Sequence, residues 1–139
     1  MTKGSCNCGN VTFEISGNLS QVIVCHCSIC RKSTGGNGIP VVLFAKDDFR
    51  WTGGQDQIIT WQKPGAGWKK WFCRTCGSPL PGENDETRMF APAGVISDGG
   101  GLHEVIHHIW VDSKASWDEI GDKGLQHPTN FGSAGTSGS

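Results

Sequence analysis

Six residues, Cys25-His26-Cys27-Ser28-Ile29-Cys30, carry three of the chain's seven thiols. Two sit one residue apart and the third follows at the spacing of a helical turn. Such a cluster supplies three corners of a tetrahedral zinc site at Zn–S distances of roughly 2.3 Å. The fourth corner goes to a closing ligand from elsewhere in the chain or to a substrate. A closed site is structural and a site with an exchangeable corner is catalytic.

The other four cysteines form two knuckles, Cys6-Asn7-Cys8-Gly9 and Cys73-Arg74-Thr75-Cys76-Gly77. A simple ribbon reading pairs Cys27 and Cys30 with Cys73 and Cys76. Their separation far exceeds the roughly 15–20 residues usual between ribbon knuckles, and three thiols are left over. The alternative uses every sulfur. Cys6, Cys8, Cys73 and Cys76 close a four-thiolate structural site, while Cys25, Cys27 and Cys30 hold a second metal.

His26 lies between two ligands, so its ring is expected to point away from their metal as a hydrogen-bonding neighbour. His103, His107, His108 and His127 are candidate closers, with His107-His108 also readable as a strand pair. Arg31 and Lys32 follow the cluster as candidate partners for a substrate carboxylate or as solvated cations. Gly35 and Gly36 would let backbone N–H groups approach a ligand, or serve a plain turn. Phe44, Trp51 and Trp61 are core residues or pocket walls. Trp68 and Trp71 flank Lys69-Lys70, a patch too small to signal nucleic-acid binding.

These residues must be positioned by short strands. Val11, Phe13 and Ile15 alternate with polar residues, and Gln21 to Val24 is a β-branched run that delivers Cys25. Ser28 to Ser33 is expected to make one or two helical turns with Ser28 as cap. Ile39 to Phe44 is apolar throughout and reads as a strand buried on both faces or in a barrel-like position, with Pro40 at its start or on an edge. Phe49 to Trp51, Gln57 to Trp61, Trp68 to Cys73, Arg88 to Ile96 and Val105 to Val111 are further strands. Residues 78–87 read as loop. Short strands between Gly-rich turns predict an all-β domain over residues 1–131, followed by a Gly/Ser-rich flexible tail over 132–139.

Composition narrows the function. A net charge of −1 argues against a nucleic-acid partner held through a broad basic surface. There is no run of about 18 apolar residues to span a membrane. No apolar segment follows Met1, so the chain is expected to be cytoplasmic. Disulfides are rare there, and seven cysteines read as metal ligands. Oligomeric state has no signal in the sequence.

The pieces Gly4-Ser5-Cys6-Asn7-Cys8-Gly9, Cys25 to Lys32, Phe72-Cys73-Arg74-Thr75-Cys76-Gly77-Ser78 and His108 to Trp117 resemble, in order, the glutathione-dependent formaldehyde-activating enzyme family. That family also includes proteins similar to centromere protein V. The resemblance implies a twisted β-tent of short antiparallel strands related to zinc ribbons. It implies structural zinc at Cys6, Cys8, Cys73 and Cys76, and a second zinc at Cys25, Cys27 and Cys30. It further implies carbon–sulfur lyase chemistry on adducts of a thiol, such as glutathione, with an aldehyde. S-hydroxymethylglutathione is one such adduct. A non-catalytic zinc module that binds a protein or nucleic acid, and a redox or metal-storage thiol protein, are the competing readings. Ser78-Pro79-Leu80-Pro81-Gly82 departs from the apolar, strand-like continuation expected after the last knuckle.

Overall fold

The computed structural model describes residues 1–132, so the tail expected over 132–139 lies beyond its first residue outside the described residues. In chain order the strands are β1 (Thr2–Ser5), β2 (Thr12–Ile15), β3 (Val22–Cys25), β4 (Ile39–Ala45), β5 (Phe49–Gly53), β6 (Ile58–Gln62), β7 (Lys69–Cys73), β8 (Gly82–Glu83), β9 (Arg88–Pro92), β10 (Ile96–Asp98), β11 (Val105–Ile109) and β12 (Leu125–Gln126). One α-helix, α1 (Ser28–Thr34), follows β3. The protein is mostly β, as expected.

The chain forms two compact units, each discontinuous in sequence. The first is Met1–Ser20 with Val42–Gly101; the second is Gln21–Val41 with the residues from Leu102 on.

The first unit contains an antiparallel sheet ordered β10-β1-β2-β5, the β6–β7 hairpin and the β8–β9 pair. The alternation of β2 places Phe13 and Ile15 in the core, both essentially inaccessible. Phe13 stacks on Phe49 at 5.7 Å, and Phe49 meets Trp51 edge-on at 4.8 Å. Burying such rings contributes about 1.5–3 kcal/mol each. Along β4, burial alternates, with Val42 and Phe44 inside and Ala45 exposed. The strand is therefore not buried on both faces, although its uninterrupted apolar run suggested that. The expected strand from Arg88 to Ile96 is broken by a 3₁₀ turn at Ala93–Val95 that separates β9 from β10.

The segment after the second knuckle is not plain loop. Pro79 bridges Phe72, Leu80 N–H donates to the Trp71 carbonyl at 2.8 Å, and Leu80 is 1% exposed. Gly82 lies flat against the Trp71 ring, where any Cβ would collide.

The second unit is built on β3. Residues Ile39 to Val41 of β4 pair with it antiparallel, and β11 pairs with it in parallel. β12 then pairs in parallel with β11. These two parallel ladders depart from the expectation of antiparallel strands only. Parallel neighbours need a long crossover, and the residues between β3 and β11 supply it. β11 stops at Ile109 because Trp110 takes a left-handed conformation, φ 59°. Val111 therefore does not continue the strand face expected for it. No helix among the described residues is long and apolar enough to cross a membrane.

Candidate metal centres

The two knuckles meet in the first unit. The sulfurs of Cys6, Cys8, Cys73 and Cys76 all lie within 4.8 Å of one another. Cys6 and Cys8 are 3.5 Å apart, and Cys8 and Cys73 are 3.8 Å apart. Four thiolates at roughly 2.3 Å from a tetrahedral zinc are spaced about 3.8 Å, so the donor set fits that ion without rearrangement.

Local backbone explains the knuckles. Gly9 and Gly77 follow Cys8 and Cys76 with φ of 82° and 76°, a conformation glycine adopts without strain. The Cys6 carbonyl accepts from Gly9 N–H at 3.1 Å, and the Cys73 carbonyl accepts from Gly77 N–H at 2.8 Å. Asn7 N–H donates to Ser78 Oγ at 2.9 Å, tying one knuckle to the other. Cys6 and Cys73 are buried and pack with Val11 and Leu80, whereas Cys8 is exposed. Ser78, through its side chain and then its backbone, pulls the Cys76 thiol down to about 5. Cys8 is pushed up to about 12: the Asn10 backbone N–H lowers it, but desolvation and the neighbouring thiols outweigh that. Crowded sulfurs that ionise unequally are a donor set that a shared cation would stabilise.

Cys25, Cys27 and Cys30 form the second cluster, with their sulfurs again within 4.8 Å of one another. Cys25 ends β3, Cys27 precedes α1 and Cys30 lies in its first turn. Cys27 caps the helix, its Sγ accepting from Cys30 N–H at 3.4 Å. The expected cap, Ser28, is instead the first helical residue. A sulfur in this position faces both the helix N-terminus and its fellow thiols. Gly38 lies so close to the Cys25 carbonyl that a Cβ would collide with it. Cys30 draws the Cys25 thiol down to about 6, and Cys25 in turn pushes Cys30 up, aided by burial. Three thiols that cannot all ionise unaided again suit a cation.

Among the described residues no histidine or carboxylate joins this trio. His103 contacts Gln21 at 2.9 Å, His107 contacts His127 at 3.0 Å, and His108 contacts His26 at 2.8 Å. The four candidate closers are thus engaged elsewhere. His26 points away from the sulfurs' shared space as a buried hydrogen-bonding neighbour, 1% exposed. Desolvation, followed by the charge of His108, holds its imidazole below the ordinary value. Sequence reasoning singled out neither Asp118, 3.3 Å from His26, nor Asp122, 2.8 Å from His108. Both stand in a polar stretch with no spacing signal.

Of the other candidates, Arg31 is half-buried and Lys32 exposed. Gly35 is the left-handed residue that ends α1, φ 75°, and its N–H donates to the Arg31 carbonyl at 2.8 Å. That N–H is committed to the helix end. Phe44 is core, Trp61 is half exposed, and Trp51 lines an open 390 Å³ cavity with Trp71, Ile58 and Met89.

Over 132 residues the chain is 31% identical to a Halomonas elongata protein provisionally named a glutathione-dependent formaldehyde-activating enzyme. The alignment covers 86% of this chain and 81% of the relative. A crystal structure of a Rhodobacter sphaeroides protein matches with a TM-score of 0.58 at 25% identity, over 74% of this chain and 96% of that one. The family model for glutathione-dependent formaldehyde-activating enzymes matches residues 1–113. The chain belongs to that family.

Proposed function

We propose that the protein is a zinc-dependent carbon–sulfur lyase-type enzyme that makes and cleaves adducts of glutathione with formaldehyde. The observation that carries this reading is the trio Cys25, Cys27 and Cys30, three gathered sulfurs with no fourth protein donor among the described residues, in a chain of this family. Cys6, Cys8, Cys73 and Cys76 are assigned the structural zinc.

Zinc, when bound, supplies acidification of a thiol, so that a thiolate nucleophile is available at neutral pH. The thiolates of Cys25, Cys27 and Cys30 would hold the ion. The glutathione sulfur forms a bond to the formaldehyde carbon, the carbonyl π bond becomes a C–O–H, and the thiol proton ends on that oxygen. The reverse breaks the C–S bond and returns the proton to sulfur. Three thiolates against one divalent ion leave a net charge of −1, which weakens Lewis acidity and favours thiol activation over water activation. Arg31 and Lys32, in the last turn of α1, offset that charge and are the candidate partners for glutathione carboxylates.

The test is zinc quantification together with glutathione titration of the cobalt-substituted protein. The expected result is two metals per chain and a glutathione-dependent change in the cobalt–thiolate absorption. Turnover is then read as formaldehyde–glutathione exchange above the spontaneous rate. An unmoved spectrum overturns the reading.

A further inference from the structure

The second unit contains a line of four ionisable side chains that the proposed chemistry does not use. Asp122 Oδ1 accepts from His108 Nε2–H at 2.8 Å. In a neutral His108 this leaves Nδ1 as an acceptor, and it meets His26 Nε2 at 2.8 Å. The other nitrogen of His26 lies 3.3 Å from Asp118 Oδ2, a close polar approach without hydrogen-bond geometry. His26 and His108 are 1% and 4% exposed. Burying polar groups in this way is costly unless they are mutually satisfied.

The line is anchored at both ends. Asp122 Oδ1 also accepts from Gly124 N–H at 2.8 Å, and the Asp118 carbonyl accepts from Lys114 Nζ at 2.9 Å. Its inner member is the residue between two of the three clustered cysteines. The His26 backbone is pinned as well, its N–H donating to the Ile109 carbonyl at 2.9 Å. Asp118 reaches the far side of the same segment, where Asn37 Nδ2 donates to its Oδ1 at 3.4 Å. The backbone N–H and the ring Nε2 of residue 26 are thus both engaged, which restrains the segment between Cys25 and Cys27.

We propose that His108, oriented by Asp122, is a positioning residue for the second metal. It acts through its hydrogen bond to His26, which holds the sulfurs of Cys25 and Cys27 at a mutual distance suited to one ion. The inference rests on the assignment of a metal to that trio. Groups that orient ligands from outside typically change metal affinity by roughly 10–100-fold when removed.

The experiment uses the zinc-loaded full chain challenged with a chromophoric chelator, with cobalt-substituted protein as the spectroscopic control. His108→Leu removes the acceptor, and His108→Asn restores a polar group near the Nδ1 position. The expected result is that His108→Leu speeds metal release from the trio by roughly ten-fold or more, alters the cobalt–thiolate band of that site, and leaves the four-cysteine metal in place. His108→Asn should recover most of both. Equal behaviour of the two variants, or wild-type release from both, overturns the positioning role. Should His108→Leu not fold, Asp122→Ala decides between the same outcomes, because the Asp122 side chain is 42% exposed and its loss disturbs packing less. A wild-type chain with a single metal sinks the functional proposal itself; two metals with unmoved variants sink only the role of His108.

Discussion

The sulfurs of Cys8 and Cys73, 65 positions apart in the chain, lie 3.8 Å from each other. The separation is that of neighbouring thiolates on one tetrahedral zinc. A metal bound there would cross-link the start of the first unit to its β7 hairpin strand.

Cys73→Ala should therefore abolish more than a ligand. Structural zinc contributes apparent folding free energies of about 10–16 kcal/mol in small zinc-finger peptides. The variant is expected to lose the four-cysteine metal and its cooperative thermal transition. Elemental analysis and circular dichroism on the same sample check this. A variant with a wild-type melt would refute the structural assignment.

Cys27 caps α1 and, on the proposed assignment, also serves as a sulfur ligand. Cys27→Ser keeps an atom able to accept from Cys30 N–H but is a poor zinc ligand. Cys27→Ala loses both. Each should release the second metal and retain the first. The alanine variant should be less stable than the serine variant by about 1 kcal/mol, the usual worth of a cap. Urea denaturation of the pair measures the difference.

Gly38→Ala tests the close approach of β4 to the end of β3. Its backbone conformation suits any residue, but the added methyl meets the Cys25 carbonyl. Overpacking of this sort costs about 1–3 kcal/mol. The expected result is a weakened second metal with the four-cysteine site unaffected. Equal loss from both sites would show that the strain is not local.

Acid behaviour has a surface test at Asp85. The Arg88 side chain, helped by the Thr87 backbone N–H, holds its carboxyl far below the usual range. A depressed carboxylate contributes stability above its unfolded value, and that contribution is lost as pH falls through the folded one. Asp85→Asn should thus be slightly less stable than wild type at neutral pH, and the gap should close in strong acid. Acid release of metal affects both proteins and cancels in the difference. A gap that widens on acidification would contradict the assignment.

Much of the site was legible because cysteines carry their chemistry in their spacing. The two knuckles, the trio and the short strands around them could be read from residue type and period alone. The cap on α1 was misplaced because serine is the commoner cap, whereas here a sulfur already fixed by the cluster takes that position. β4 looked doubly buried because its apolar run gives no alternation, yet only Val42 and Phe44 turn inward. The parallel pairing of β11 with β3 joins residues more than eighty positions apart, and no local pattern encodes such a register. The same distance hid the partnership of His108 with His26, which becomes visible only once β3 and β11 lie side by side.

The interleaving of the two units in sequence sets an order of events on the ribosome. A nascent chain has all four sulfurs of the first cluster in hand once Cys76 has emerged. The trio appears earlier, at Cys30, yet its supporting strand β11 and the carboxylates of Asp118 and Asp122 are synthesised much later than the trio itself. On the proposed assignment a metal at the first cluster could be captured while the chain is still growing, and one at the trio would gain its full support only after β11 has emerged.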